Sequence, residues 1–259
     1  MGVRKNWKWF LRRVLFWAIV IYVTVCGLLY IFQRSLVFPA SRQLYALPRD
    51  FVPWTQDGRL LGYQRVHGTT NCLFFLHGNG GNARGWANAI EQFPGDIFIL
   101  EFPGYGERPG KPTEESVKRA ALEAFDALPP YPHRVVCGQS IGTGITPVLF
   151  LNRADRVGFL LLITPFTSLR DVAAGVFPLF PARWLLRDQM PLYEAWKDFA
   201  GPSCVVLAGR DEVVPRKASA PFRSAVGANR KVVALPEATH NSIQPDRRAW
   251  EEWTRLGPP

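Results

Sequence analysis

The sequence predicts an α/β domain built on a mostly parallel β-sheet and preceded by one membrane-spanning helix. Two observations predict the domain: runs that are apolar at consecutive positions recur along the chain, and amphipathic stretches of helix length separate them. A third observation predicts the membrane helix, because an N-terminal stretch of 19 residues carries no charged side chain. The 259 residues suffice for one large α/β domain or two small ones, and a composition of 47% hydrophobic and 20% charged residues excludes long disorder.

The N-terminus combines a basic cluster with an apolar run. Residues 1–13 carry five basic side chains and no acidic one, and the uncharged run 14–32 follows them. About 20 apolar residues of helix cross a hydrocarbon core of roughly 30 Å, so residues 14–32 are predicted to span the membrane and contact its lipids. The run is longer than the apolar region of a cleaved signal peptide, and no convincing cleavage site accompanies it, which indicates an uncleaved signal anchor. The positive-inside rule predicts a cytoplasmic N-terminus and a domain on the periplasmic or lumenal side.

The net charge of +10 does not indicate a nucleic-acid partner. Five of the basic residues lie in the first 13 positions, where anionic lipid headgroups are the expected partner. Basic and aromatic residues are not interleaved in the way that nucleic-acid binding surfaces require. Cys26 lies in the membrane run, and the other cysteines lie in or beside apolar runs with no zinc-site spacing, so three buried thiols are expected: Cys72, Cys137 and Cys204.

The predicted elements alternate in chain order. The stretch 58–66 is expected to form a leading antiparallel strand. A predicted helix begins after Thr113, which is a suitable N-cap, and two further helices are expected over 216–227 and 244–256. The buried parallel strands are predicted over 72–76, 97–101, 134–138, 158–163, 204–209 and 231–235.

One segment interrupts this alternation. Residues 166–200 contain no clear strand but are rich in aromatic residues and prolines. We interpret them as a cap of short helices inserted at the carboxyl ends of the strands, where open α/β sheets bind ligands. The aromatic residues either cover a bound acyl chain or pack against the sheet, and the sequence leaves both alternatives open.

The stretch "VVCGQSIGTG" surrounds Ser140 with Gly138 and Gly142 at the junction between a predicted strand and a helix. This is the Gly-x-Ser-x-Gly pattern of a nucleophile elbow, in which a tight turn exposes the serine hydroxyl and small neighbours let the backbone pass. A short motif of this kind also occurs in glycine-rich turns whose serine only caps a helix.

A second glycine-rich stretch, "FFLHGNGGNARGW", also leaves a strand and enters a helix. Gly78, Gly80 and Ala83 fit the dinucleotide-binding fingerprint, and Glu101 follows at the distance of a ribose-binding acid. The alternative is an oxyanion loop that begins at His77 and points a backbone amide at the serine elbow.

The rest of the chain favours the second interpretation. A serine nucleophile in such a domain needs an acid and then a histidine, in that order, at the ends of later strands. Asp211 follows the predicted strand 204–209, with Glu212 as the fallback acid, and His240 follows the last predicted strand. The dinucleotide interpretation leaves Ser140, Asp211 and His240 unexplained.

These motifs resemble the α/β-hydrolase superfamily, in particular its membrane-anchored branch of serine-aminopeptidase-like and α/β-hydrolase-domain proteins. The resemblance runs from about residue 36 to residue 259 and rests on "FLHGNGGN", "FPGYGERPG", "GQSIGTG", "TPFTSL", "GRDEVVP" and "THNS". It implies a sheet of about eight strands, a triad of Ser140, Asp211 and His240, and an oxyanion hole from the amides of Asn79 and Ile141.

The chain departs from the family pattern at two positions. Pro147 falls within the predicted helix after the elbow, where it would remove the bond to the Thr143 carbonyl and kink the helix. Thr164 stands where relatives often carry an acid.

The expected reaction is hydrolysis of an ester, thioester or related acyl bond through a covalent acyl-enzyme, and the sequence leaves a peptide bond open as well. The expected substrate is an acyl-containing small molecule, a lipid or another acylated molecule. This chemistry requires no metal and no cofactor. The alternative from another functional class is a binding protein that kept the fold without the activity, and the intact set of three residues argues against it.

Overall fold

The computed structural model describes residues 3–243 and residue 255 of the chain. The predicted helix over 244–256 therefore lies outside the described residues except for that one position. Eight strands form a single sheet in the order β1-β2-β4-β3-β5-β6-β7-β8. Their bounds are β1 Val52–Gln56, β2 Arg59–Arg65, β3 Asn71–Leu76, β4 Asp96–Leu100, β5 His133–Gln139, β6 Phe159–Ile163, β7 Ser203–Arg210 and β8 Arg230–Thr239.

The sheet is parallel from β4 through β8, and only β1 and β2 are antiparallel to their neighbours. β3 and β5 lie side by side, with Leu76 opposite Gly138. The carboxyl ends of the parallel strands therefore meet at one edge of the sheet. This arrangement confirms the predicted α/β-hydrolase fold with about eight strands.

Helices cover both faces of the sheet, because successive side chains of a strand point to opposite faces. The helix bounds are α1 Val3–Val37, α2 Ala83–Ile90, α3 Glu114–Asp126, α4 Pro147–Asn152, α5 Leu169–Val176, α6 Ala182–Leu185, α7 Leu192–Trp196 and α8 Arg216–Arg223. One core packs α2 against residues such as Phe75 and Ile99. The other packs α3, α4, α7 and α8 against the opposite face, at residues such as Phe74 and Leu162. Continuous apolar strands are what a sheet covered on both sides requires.

Helix α1 is longer than the predicted membrane segment 14–32 and extends beyond it at both ends. It is the one helix in the described part of the chain that is long and apolar enough to cross a membrane, and it is not buried in the body of the domain. Its last turns reach the carboxyl edge of the sheet.

Two local predictions were wrong for identifiable reasons. Pro147 does not lie inside a helix, because residues 140–144 form a 3-10 turn and α4 begins at Pro147 itself. Proline suits this first helical position, where its missing N–H is not needed. The Thr143 carbonyl instead accepts hydrogen bonds from the amide and the hydroxyl of Thr146, at 3.2 and 2.8 Å. Helix α8 ends at Arg223, four residues before the predicted end at Gly227.

The predicted helix after Thr113 forms as expected. The Thr113 side chain accepts a hydrogen bond from the Ser116 amide at 3.0 Å, and the Ser116 hydroxyl accepts one from the Thr113 amide at 2.9 Å. This reciprocal capping box satisfies amides that the first turn of a helix leaves unpaired.

The segment 166–200 contains α5, α6 and α7, and its aromatic and apolar residues fall into two groups. Met190 and Trp196 are buried in the core, so they pack against the rest of the domain. Leu179 and Trp184 are 80% and 84% exposed. Packing against the domain therefore explains the first group and leaves the exposure of the second group unexplained.

The three cysteines of the domain are buried, as predicted. Burial raises the pKa of the Cys72 thiol to about 12 and holds the pKa of the Cys137 thiol well above its ordinary value. A thiol reacts as the thiolate, so these side chains behave as small hydrophobic residues in the core.

Candidate active site

Ser140 stands directly after β5 in a strained turn. Its φ is +50°, a left-handed value that residues other than glycine rarely adopt and that costs of order 1–3 kcal/mol. The Thr143 hydroxyl donates to the Ser140 carbonyl at 2.6 Å and holds the turn closed. Strain of this kind occurs where a tight strand-to-helix turn presents a side chain at the top of the sheet.

The two glycines of the motif are required by close contacts. A Cβ on Gly138 would lie 2.7 Å from the backbone of Thr143, inside the elbow turn. A Cβ on Gly142 would lie 2.8 Å from the His77 carbonyl oxygen and closer still to that of Leu76. The elbow thus packs against the end of the neighbouring strand β3, where only glycine fits.

We expect Gly142→Ala to destabilise the fold by about 1–3 kcal/mol, because the added methyl group meets rigid backbone and the elbow must shift. The measurement is thermal unfolding together with the rate of labelling of Ser140 by a fluorophosphonate. Gly227→Ala is the matched control, since a Cβ at Gly227 meets no atom within 4 Å. Equal behaviour of the two variants would contradict the close packing of the elbow.

Three side chains from different strand ends form a hydrogen-bonded chain. The His240 Nε2 atom lies 2.9 Å from the Ser140 Oγ atom, and the His240 Nδ1 atom lies 3.0 Å from both carboxylate oxygens of Asp211. The Asp211 Oδ1 atom also accepts hydrogen bonds from the amides of Val213 and Val214, at 2.9 and 2.7 Å. The structure therefore brings together Ser140, Asp211 and His240, which the sequence analysis singled out.

Burial and hydrogen bonding act in opposite directions on the Asp211 carboxyl group. Burial raises its pKa, but the hydrogen bond with His240 and those from the Val214 and Val213 amides outweigh burial and hold the pKa below its ordinary value. The carboxylate therefore stays ionised at neutral pH, and a negative charge faces the Nδ1 side of His240.

The fallback acid has a different contact. The Glu212 carboxylate accepts a hydrogen bond from the His240 backbone amide at 3.1 Å, so it holds the loop and leaves the imidazole ring to Asp211. Glu237, near the end of β8, forms an ion pair with Arg210.

The loop after β3 brings Asn79 to the same edge of the sheet. Its side chain is engaged on both sides: Nδ2 donates to the Val37 carbonyl at the end of α1, and Oδ1 accepts from the Tyr105 hydroxyl at 2.7 Å. Asn79 and Ile141 both line the cavity that contains Ser140 and His240. Both polar ends of the Asn79 side chain therefore have partners within the protein.

The dinucleotide interpretation does not fit the environment of Glu101. The Glu101 carboxylate is completely buried, where it contacts His77 Nε2 at 3.3 Å and accepts a hydrogen bond from the Ala83 amide at 3.3 Å. It therefore occupies the N-terminus of α2, where a pyrophosphate would have to lie, and no path to solvent exposes it to a ribose.

The cavity beside Ser140 has a volume of about 470 Å³, and its walls come from regions far apart in the sequence. Helices α1 and α5 and the chain around α6 contribute most of them, with Trp86 of α2 and Val214 near the triad. Sequence analysis did not assign α1 to this site. Gln33, a polar side chain directly after the apolar run, was the available signal, because an amide at the end of a long apolar helix needs hydrogen-bond partners.

Comparisons with known proteins show which sequences and folds this chain resembles. A profile of the Alpha/beta hydrolase family matches residues 73–192, which include Ser140. An uncharacterized protein of Mycobacterium tuberculosis is 29% identical over 228 residues, which cover 81% of this chain and 80% of that protein. An uncharacterized membrane protein of Saccharomyces cerevisiae is 26% identical over 251 residues, with coverage of 82% and 84%.

Two further matches are to lipases. The lysophosphatidylserine lipase ABHD12 of Rattus norvegicus is 26% identical over 172 residues, which cover 55% of this chain and 42% of that protein. The crystal structure of the Paleococcus ferrophilus monoacylglycerol lipase superposes with a TM-score of 0.51 at 17% identity, and covers 71% of this chain and 91% of that one. At this identity the superposition shows a shared fold. The chain therefore has the α/β-hydrolase fold, and its sequence is similar to the Alpha/beta hydrolase family over residues 73–192.

Proposed function

We propose that this protein is a membrane-anchored serine hydrolase that cleaves an ester, thioester or related acyl bond. The observation that carries the proposal is the hydrogen-bonded chain from Ser140 through His240 to Asp211 at the floor of an apolar cavity. The similarity to the Alpha/beta hydrolase family and to a lysophosphatidylserine lipase agrees with this proposal.

The reaction proceeds in two halves. His240 Nε2 takes the proton from Ser140 Oγ as that oxygen attacks the substrate carbonyl, and Asp211 holds the ring orientation and stabilises the imidazolium. The amides of Asn79 and Ile141 donate to the oxyanion that develops on the carbonyl oxygen. The tetrahedral intermediate collapses, the leaving group takes the proton from His240, and the acyl group remains on Ser140. Water then repeats the sequence and releases the acid.

The walls of the cavity favour an uncharged acyl group over a peptide. Apart from the His240 imidazole, no aspartate, glutamate, lysine or arginine is among the described residues that line it, and most are aliphatic or aromatic. A site that binds a free amino terminus needs a carboxylate to pair with the ammonium group, since burial of an unpaired charge is costly. The substrate is accordingly an ester or thioester of an apolar acid.

A fluorophosphonate probe tests the proposal directly, because it phosphonylates an activated serine. We expect the wild-type protein to be labelled at Ser140 and Ser140→Ala to remain unlabelled. Absence of label from the wild-type protein, folded by circular dichroism, would refute the hydrolase assignment.

The membrane topology is a second expectation. Five basic residues before the apolar run keep the N-terminus in the cytoplasm, so the domain lies on the opposite side of the membrane. Protease added to intact cells or spheroplasts should therefore digest the domain, while a cytoplasmic marker protein stays intact. Protection of the domain until the membrane is opened would reverse the orientation.

A further inference from the structure

We propose that α1 is a wall of the acyl-binding cavity, and that the substrate is a single-chain acyl ester that moves into the cavity sideways from the membrane leaflet around α1. This inference rests on the proposed function, because it names the substrate class of the same serine.

The cavity beside Ser140 continues along α1. Residues of α1 that line it are Cys26, Leu29, Tyr30, Gln33, Leu36 and Val37. The facing wall comes from α5 and the chain around α6, with Val176, Phe180 and Leu185 among its residues. Ten residues separate Cys26 from Leu36, which corresponds to about 15 Å along the helix. The space between the two walls therefore extends along about 15 Å of α1, which suits one acyl chain.

Specific contacts fix α1 against the cap segment 166–200. The rings of Tyr22 and Phe180 stack with their centroids 5.8 Å apart and an interplanar angle of 4°. The Tyr22 hydroxyl donates to the Leu179 carbonyl at 3.1 Å. Near the end of the helix, Gln33 Nε2 donates to the Leu185 carbonyl at 3.2 Å, and Gln33 Oε1 accepts from the Arg187 amide at 2.7 Å. Within α1 the Gln33 Nε2 atom donates to the Tyr30 carbonyl at 2.8 Å, and the contacts with the cap supply the partner of Oε1 and a second acceptor for Nε2.

An ion pair and one more hydrogen bond also join α1 to the rest of the domain. Arg34 lies 3.3 Å from the buried carboxylate of Asp188, which also accepts a hydrogen bond from the first amide of α3, that of Glu114, at 2.8 Å. At its last residue, α1 meets the Asn79 side chain in the proposed oxyanion loop. The membrane helix is thus joined to the catalytic edge of the sheet.

The depth of these contacts places the cap within a leaflet. If residues 14–32 cross the hydrocarbon core, Tyr22 lies ten residues, or about 15 Å, below the outer end of the core. Phe180 and Leu179, which touch Tyr22, lie at the same depth. The exposed apolar side chains of Leu179 and Trp184 then face lipid tails, which explains an exposure that would be unfavourable in water.

The composition of the cavity identifies the part of the substrate that it holds. Its described polar residues other than Tyr30 and Gln33 lie near the serine (Asn79, Gln139, His240 and Asn241), and most of the remainder are apolar. The acyl chain therefore occupies the space along α1, and the ester carbonyl reaches Ser140. A charged headgroup finds no counter-charge among the described lining residues and stays outside.

The test introduces a larger side chain at a residue of α1 that lines the cavity, and the same substitution at the adjacent residue is the control. Leu29 lines the cavity, whereas Leu28 is 50% exposed and does not. Full-length protein in phosphatidylcholine vesicles is given monopalmitoylglycerol and, separately, a soluble acetate ester. We expect Leu29→Trp to lower palmitoyl turnover about ten-fold or more relative to acetate turnover, the size of effect that a misfit in an apolar pocket produces. The ratio should be unchanged in Leu28→Trp.

Equal ratios in wild type, Leu29→Trp and Leu28→Trp would overturn the inference. That outcome is distinct from failure of the proposed function, in which the wild-type protein hydrolyses neither ester and takes up no fluorophosphonate at Ser140.

A second measurement, which does not depend on turnover, reports how deeply the cap segment lies in the membrane. The fluorescence contributed by Trp184 is the difference between the wild-type protein and Trp184→Phe in the same vesicles. Lipids brominated on the acyl chains should quench this difference, because the cap lies among the tails. A Trp184 contribution that these lipids leave unchanged would place the cap in water and refute sideways access.

Discussion

Replacing Ser140 with alanine is expected to lower acyl hydrolysis by about 10⁴–10⁶-fold, and His240→Ala by a similar factor. The two side chains act as one unit, because the hydroxyl attacks only when the imidazole removes its proton, and residual activity comes from the oxyanion donors and binding alone. The measurement is kcat for a soluble ester with the full-length protein in detergent or vesicles.

Asp211→Asn keeps the shape of the carboxylate and should lose somewhat less, about 10⁴-fold, because the amide favours the wrong histidine tautomer. Glu212 supplies the matched comparison: its carboxylate accepts a hydrogen bond from the His240 backbone amide, whereas Asp211 holds the imidazole, so Glu212→Ala should retain most activity. Full activity in Asp211→Ala together with loss in Glu212→Ala would reassign the acid.

The second large effect is expected at the oxyanion loop. Asn79→Pro removes the backbone N–H and should lower kcat by about 10²–10³-fold, as removal of one oxyanion donor does. Asn79→Ala keeps the N–H and should retain most of kcat, although it loses the two side-chain bonds to Val37 and Tyr105.

Tyr105→Phe separates the two contributions. It deletes the hydroxyl that donates to Asn79 Oδ1 and leaves the amide in place, so it should cost no more than Asn79→Ala. Proline also restricts the preceding glycine, so circular dichroism and fluorophosphonate labelling must first show an intact fold in Asn79→Pro. If Asn79→Ala alone abolishes turnover in a folded protein, the side chain is the functional group and the assignment to the amide is wrong.

The parallel strands could be predicted from sequence because burial on both faces imposes continuous apolar runs such as 72–76 and 158–163. Strand β1 escaped the analysis, since only Trp54 of its five residues is buried and an edge strand with one core residue carries no pattern. The cluster around Ser140 could be anticipated because its members follow strand ends in a fixed order. Side-chain partners such as Tyr105 and Gln33 could not, because they depend on which distant segments the fold brings together.

The spacing of residues along the chain also indicated one site that the structure does not form, the dinucleotide-binding site. Glu101 stands at the right distance from Gly78 for a ribose-binding acid, yet it is sealed inside the domain against His77 and Ala83. A motif fixes the order of residues along the chain, whereas the side of the sheet and the depth of each one follow from packing.

The docking of α1 bears on how the protein should be produced for biochemistry. A shortened protein that begins at Pro39 would retain Ser140, Asp211 and His240 but lose Leu29, Gln33 and Val37 from the cavity wall. The Leu185 carbonyl and the Arg187 amide would lose their Gln33 partner, and apolar surface on the cap would face water. Such a protein would bind detergent or aggregate through that surface, and its chain-length preference would describe a cavity that lacks the α1 wall. Purification with the whole N-terminal helix, in lipid, is therefore a condition for measuring the specificity of this enzyme.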